Sequence, residues 1–450
     1  MKSPILSCAI VLTLALGALN AVYAGSATWS TNPTNGDWNN PANWIPPTVP
    51  NGPSDVAKFS TSSQTEISLS APVTVAQITF NTDVSSYNIT CAAGTSLTFT
   101  GFGIHRIAHH TLPPQTFTVA PAESSGGNPG ALIFTGESAG TGVTIINNGG
   151  TAPGLAGGTT TFKDSSFPGE GTLIANGGTN GGDGAIVQFL DHARGRKAHV
   201  EVYGNSTLLI DGSSSVTQLK SISGDGEVIL SNTLDLTIFG VSTLSGVISG
   251  SGGLMMDYGS YTLTAANTYS GRTRVQGGSL EASNTTGSAT GSGDVVVRYG
   301  LLAGDGIIAG DVTLDLGSQL FDFPYLSPGI VIDWNAFPPA TDIGTLVLRK
   351  RLVFGFRAMY LCLVGGDTGE SDLVVANSVS IDPTATLALS ENGTAPVGMT
   401  FTIIESTGSI PIVGTFMNLP DGGTITAGNN TFQANYEGGD GNDLTLTVVP

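Results

Sequence analysis

Three of the chain's four tryptophans, Trp29, Trp38 and Trp44, fall within 16 residues. Indole rings so gathered do one of two things. Exposed and coplanar, they make a platform on which sugar rings stack; buried, they fill a wide hole with few residues. The other residues with chemical potential are scattered. His105, His109 and His110 have the spacing of metal ligands on a helix, but Thr and Pro neighbours place them in a loop with no Cys or acidic residue close in sequence. Imidazole ligands need convergent donors and a supporting layer of hydrogen bonds, so no metal is assigned there. Gly438-Gly439-Asp440-Gly441-Asn442-Asp443 is a glycine-rich turn whose Asp440 and Asp443 are weak calcium candidates, because carboxylate oxygen is a donor that this cation prefers. A single polar turn is the plainer expectation, and no cofactor is predicted.

Cleavage of a polysaccharide asks for more. An inverting hydrolase needs two carboxyl groups about 6.5–9.5 Å apart, one to activate water and one to protonate the leaving oxygen. Asn81-Thr82-Asp83 supplies one acid, and the sequence holds no Asp-Asp pair to supply another. Leu190-Asp191-His192 is followed by Arg194, Arg196 and Lys197 without an acidic cluster to ligate calcium, and reads as a solvated basic corner. Cys91 and Cys362 lie 271 residues apart, which makes neither a disulfide framework nor a zinc site. They are expected to stay unpaired. The Gly-x-Gly sequences precede no helix whose N-terminus would hold a phosphate. The apolar run after Arg349-Lys350-Arg351 is too short to span a membrane.

These residues must be positioned by β-structure. Of 450 residues 63 are Gly and only 11% are charged, against about 25% in ordinary globular domains. The net charge of −19 disfavours nucleic acid and anionic lipid as partners, while 40% hydrophobic content is too high for a disordered chain. Residues 1–24, with Lys2, an apolar centre and Val22-Tyr23-Ala24, read as a secretory signal. Beyond them apolar residues alternate over four to six positions between Gly or Asn, as at Val73/Val75, Leu97/Phe99, Val143/Ile145 and Val200/Val202, the pattern of short half-buried strands. Phe134-Thr135-Gly136-Glu137-Ser138, Phe162-Lys163-Asp164-Ser165-Ser166 and Phe189-Leu190-Asp191-His192-Ala193 begin units 28 and 27 residues apart. A unit of that size cannot bury its inner face alone, but stacked units can. The prediction is an all-β fold, a parallel β-helix rather than a string of β-sandwiches. Such a stack needs its open end closed, which favours burial of the three tryptophans as a cap.

One stretch carries a family likeness. Ser245-Gly246-Val247-Ile248-Ser249-Gly250-Ser251-Gly252-Gly253-Leu254, followed by Asn267-Thr268-Tyr269-Ser270-Gly271-Arg272-Thr273, closely resembles the autotransporter-associated β-strand repeat. It departs from that pattern between the two halves, at Met255 to Tyr261. Trp29, Gly36-Asp37-Trp38, Ala42-Asn43-Trp44 and the segment from Gly369 through Asp372 to Asp443 resemble the ends of large secreted bacterial proteins bearing such repeats. The resemblance implies a right-handed parallel β-helix (solenoid) displayed outside the cell, with adhesive or structural roles and no shared catalytic residues. The expected organisation is a signal at 1–24, a Trp-rich N-terminal capping segment at 25–60, a β-helix at 61–320 with its repeat at 245–280, a loop or linker at 321–345, and a β-rich C-terminal segment at 346–450. Relatives of this kind continue into a membrane barrel or a sorting tail, so after Val448-Val449-Pro450 either release or a further anchor is expected. The functional expectation is a non-catalytic protein, secreted or on the outer cell surface, with extracellular polysaccharide as its partner, self-association open, no nucleic acid and no membrane span in the mature chain. Its rivals are a pectinase-like β-helix enzyme and a carbohydrate-binding module centred on Trp29, Trp38 and Trp44.

Overall fold

The computed structural model describes residues 25–107, 112–212, 217–231, 235–238, 241–315, 323–333 and 340–450. The expected signal at 1–24, and His109 and His110, lie outside them. The fold is all-β with long parallel sheets, and the described residues include no α-helix. Alternation is its local cause. In Thr172–Ala175 and Thr144–Asn147 every second side chain is buried, so Thr172 and Thr144 take the outer face while Leu173, Ala175, Ile145 and Asn147 take the inner one.

The strands form two columns between which the chain alternates, returning one level up each time. One column runs through Gly52–Phe59, Val73–Phe80, Ser96–Arg106, Ala131–Phe134, Thr159–Phe162, Ile186–Asp191, Thr207–Gly212, Glu227–Leu230 and Ile248–Gly250, each strand parallel to the next. The other runs through Glu66–Leu69, Asn88–Cys91, Thr116–Val119, Thr144–Asn147, Thr172–Ala175, Ala198–Val202 and Thr217–Gly224. Parallel strands one level apart lie ~4.8 Å from each other, so identical inward positions must touch.

The phenylalanine units show this most plainly. Phe99, Phe134, Phe162 and Phe189 are in register, and their rings stack at 4.8, 4.6 and 5.2 Å between centroids. The residue two positions on turns the corner: Gly136, Asp164 and Asp191 all have positive φ, between 56° and 62°, a region Asp tolerates better than most residues. Each aspartate then bonds to the level below. Asp164 accepts the Gly136 N–H at 2.9 Å, and Asp191 accepts the Asp164 N–H at 3.3 Å. Repetition in the sequence is thus a side-chain ladder in the core with a carboxylate ladder at its corner.

The second column divides at Thr217–Gly224. Its first residues pair with Asp235–Ile238 while Gly224 pairs with Leu244. Above this level one branch passes through Gly253–Met256, Thr273–Val275, Val295–Val297 and Val312–Leu314, and the other through Ser260–Leu263, Ser279–Ala282, Gly300–Gly304 and Pro324–Pro328. In the 245–280 segment, Asn267 ties three levels together. Its Oδ1 accepts the Ile248 N–H at 2.7 Å and its Nδ2 donates to the Ala289 carbonyl at 2.6 Å, while Tyr269 and Thr273 share a buried hydroxyl–hydroxyl bond of 2.6 Å.

Within the expected linker at 321–345, Pro324–Pro328 is a buried rung and Val331–Asp333 pairs antiparallel with Ala340–Thr341. Proline is compatible with strand ends, where no ladder donor is required. The upper end changes direction: Thr400–Ser406, Asp443–Val449, Asn430–Gly438 and Thr424–Ala427 form an antiparallel sheet, and lie over the edge that a parallel stack would otherwise leave open. Among the described residues no helix is long and apolar enough to cross a membrane.

Cys91 and Cys362 are both free and buried. Burial pushes the Cys91 thiol up to about 12 and raises that of Cys362 as well, so neither presents the reactive thiolate. Neither thiol is expected to react with Ellman's reagent in the native protein, and both are expected to react in denaturant. Reaction of either one before unfolding would contradict this packing.

Candidate functional site

Trp29, Trp38 and Trp44 are 1%, 0% and 2% exposed. Their rings meet edge to face, with centroids 5.0 Å apart for Trp29–Trp44 and 4.9 Å for Trp38–Trp44, and all three rest on Phe59. The indole N–H groups donate to the carbonyls of Gln64, Pro50 and Trp38. With their faces spent on one another, the indoles leave no platform for a sugar.

The other sequence candidates stand apart. His105 is exposed at the end of Ser96–Arg106. Asp440 is exposed, whereas Asp443 is buried and accepts the Ser406 N–H at 2.9 Å. Asp83 is exposed in a loop, and Asn81 donates to the Ser60 hydroxyl at 2.7 Å. Asp191 belongs to the corner ladder. Arg194, Arg196 and Lys197 are exposed, and the Arg196 guanidinium lies 4.2 Å from the Phe167 ring centre. Among the described residues no three His, Cys, Asp or Glu side chains gather as metal donors.

Two arrangements escaped the sequence reading. On the outer face of Ala198–Val202 and the strand above, Tyr203 donates to Glu201 at 2.8 Å, Glu201 meets His199 Nε2 at 3.0 Å, and His199 Nδ1 meets the Ser221 hydroxyl. The chain of bonds is that of a hydroxyl, a base and an acid, with the imidazole nitrogens in the order opposite to a serine-hydrolase triad. It sits on strands paired on both sides, whose N–H groups are spent in the ladder rather than turned toward a developing oxyanion. The geometry suits a polar clasp between two levels. His199, Glu201 and Tyr203 alternate in sequence, which is the signal that places them on one face; Ser221 is announced by nothing local. The other is Asp372, fully buried, whose two oxygens accept the N–H groups of Gly344 at 3.0 Å and Leu363 at 2.8 Å. Burial, with a smaller contribution from Asp342, raises its carboxyl to about 7 against the pull of those two donors.

A concave surface lies elsewhere, on the first column. In the first column Val75 pairs with Phe99 but Gln77 pairs with Gly103, so Thr100, Gly101 and Phe102 bulge outward opposite Ala76. Bulges redirect side chains, and this one leaves Phe102 79% exposed. It is anchored rather than loose: the Thr100 hydroxyl donates to the Pro53 carbonyl at 2.9 Å. Gly103 has φ +76°, and a Cβ there would fall 2.3 Å from the Ala139 carbonyl oxygen. Phe102 overlooks a groove of about 460 Å³ lined by Gln77, Ile104, His105, Ala139 and Thr141. Next to His105 in sequence, buried Arg106 donates to the carbonyls of Gly142, Leu112 and Pro113. A second hollow is lined by alternating charges including Arg272, Asp294, Arg298 and Asp311; Arg351 pairs there with Asp311 at 3.8 Å, so its charges answer one another.

The fold defines an all-β protein of long parallel sheets. In comparison with known proteins, the chain matches no family model and no curated protein sequence.

Proposed function

We propose that this chain is an extracellular rod, secreted or held at the outer cell surface, with an adhesive or structural rather than catalytic role, built as a right-handed parallel β-helix like the proteins that carry the autotransporter-associated β-strand repeat. The observation that carries the proposal is the register: Leu132, Thr160, Val187, Leu208, Val228 and Ile248 stand one above another on successive levels. A chain that returns to the same place at each level supports reading the fold as a solenoid, and solenoids act through long repeated outer surfaces. The non-catalytic reading is supported by Asp164, Asp191, Asp372 and Asp443, whose carboxylates accept backbone N–H groups within the scaffold.

The purified chain is expected to give the small-angle scattering profile of an elongated particle, and to be retained by producing cells or by a polysaccharide without shortening the polymer. A compact globular profile removes the rod. Release of reducing ends from polygalacturonate by the purified chain assigns the pectinase-like alternative.

A further inference from the structure

We infer that the groove beneath Phe102 binds a neutral, extended polysaccharide, with the phenylalanine ring as stacking surface and Gln77, His105 and Thr141 as hydrogen-bonding groups. The inference rests on the extracellular adhesive proposal and gives it a place on the molecule. Sugar recognition needs an aromatic face for the apolar side of the pyranose and polar groups at its edge for the hydroxyls. Phe102 supplies the first. It is far more exposed than a ring recruited to the core, and it is held on an anchored bulge beside a glycine whose backbone excludes a side chain.

The polar groups come from three successive levels. Gln77, Gly103 and Ala139 are in register; His105 lies two positions beyond Gly103, level with Thr79, and Thr141 follows in the turn after Gly140, so the three reach the groove from successive levels. Gln77 spends one N–H on the Thr79 hydroxyl at 2.8 Å and keeps its other amide N–H and its carbonyl oxygen. Rungs rise by ~4.8 Å, close to the length of one hexose in an extended chain, so a polymer lying along the stack stays in step with its donors and acceptors. The lining contains no Lys or Arg, which favours a neutral polymer over a uronate.

Affinity electrophoresis of the full chain through gels holding β-glucan, xylan, mannan or polygalacturonate tests this. At least one neutral polymer is expected to retard the chain. Phe102→Ala is expected to weaken that retardation about tenfold or more, the loss typical of a central aromatic contact, and Gln77→Ala to weaken it less. The exposed ring carries little packing, so Phe102→Ala should keep the parent melting temperature, which separates lost binding from lost fold. Retardation of Phe102→Ala equal to the parent overturns the site, as does retardation by polygalacturonate alone or by none of the four. Cell retention of the parent distinguishes the two levels of the reading. If cells hold the parent and Phe102→Ala alike, the rod remains adhesive and this groove is not its contact; if cells hold neither and no polymer retards the parent, both fail.

Discussion

Phe162→Ala is expected to cost about 3–5 kcal/mol of unfolding free energy, more than any exposed substitution in the chain. Phe162 is fully buried and is stacked on both sides, 4.6 Å from Phe134 and 5.2 Å from Phe189. Removing the ring deletes two aromatic contacts and leaves a void of phenyl size. The void cannot close cheaply, because its floor and ceiling are strands held in register by backbone ladders on either side. Phe162→Leu refills much of the volume and should cost about 1–1.5 kcal/mol. Urea unfolding of the parent and both variants measures the difference. A loss below about 1 kcal/mol for Phe162→Ala would mean that the levels slide to collapse the hole, contradicting the fixed register. Phe102→Ala, which removes the same side chain from a solvent-facing bulge, is the matched control.

Phe134, Phe162 and Phe189 also show what the sequence makes legible. Their spacing is visible because each level reuses the same inward residue and the same corner two positions later, so a structural period is written as a textual one. The motif around Asn267 is legible for a related reason, since an amide that bonds to the level below and the level above is hard to replace. What escapes is whatever depends on meeting a residue from another level. Nothing near Ser221 announces His199, and Asp372 looks like one more acid in a polar turn until Gly344 and Leu363 are brought to it. The three tryptophans illustrate the limit differently: spacing gathers them, but whether the rings face solvent or one another is decided by Phe59 and the strands around it. The division at Thr217–Gly224 leaves no mark either, because one eight-residue strand serving two columns reads the same as one serving a single column. Phe102 is equally silent in the sequence, because its exposure depends on the bulge that the flanking glycines allow opposite Ala76.

Asp372 gives the second large effect, and its sign follows from where the proton sits. In the folded chain burial raises this carboxyl from its ordinary 3.8 to about 7; in the unfolded chain it returns to about 3.9. Between those values the folded state holds a proton that the unfolded state has released, so stability from this residue is complete below about pH 4 and is lost as pH rises through 7. The change is on the order of a few kcal/mol across that window. Other carboxylates of this acidic chain also gain protons on acidification, so the parent's curve alone does not isolate the residue. Asp372→Asn does. Its amide accepts one backbone N–H but turns an NH₂ toward the other, lowering stability at every pH while removing the titration. The difference in unfolding free energy between parent and Asp372→Asn is therefore expected to widen as pH falls from 7.5 to 4.5. A flat difference would mean that the N–H groups of Gly344 and Leu363 outweigh burial and keep the carboxylate ionised throughout. A difference that narrows on acidification would place the folded value below the unfolded one and reverse the assignment.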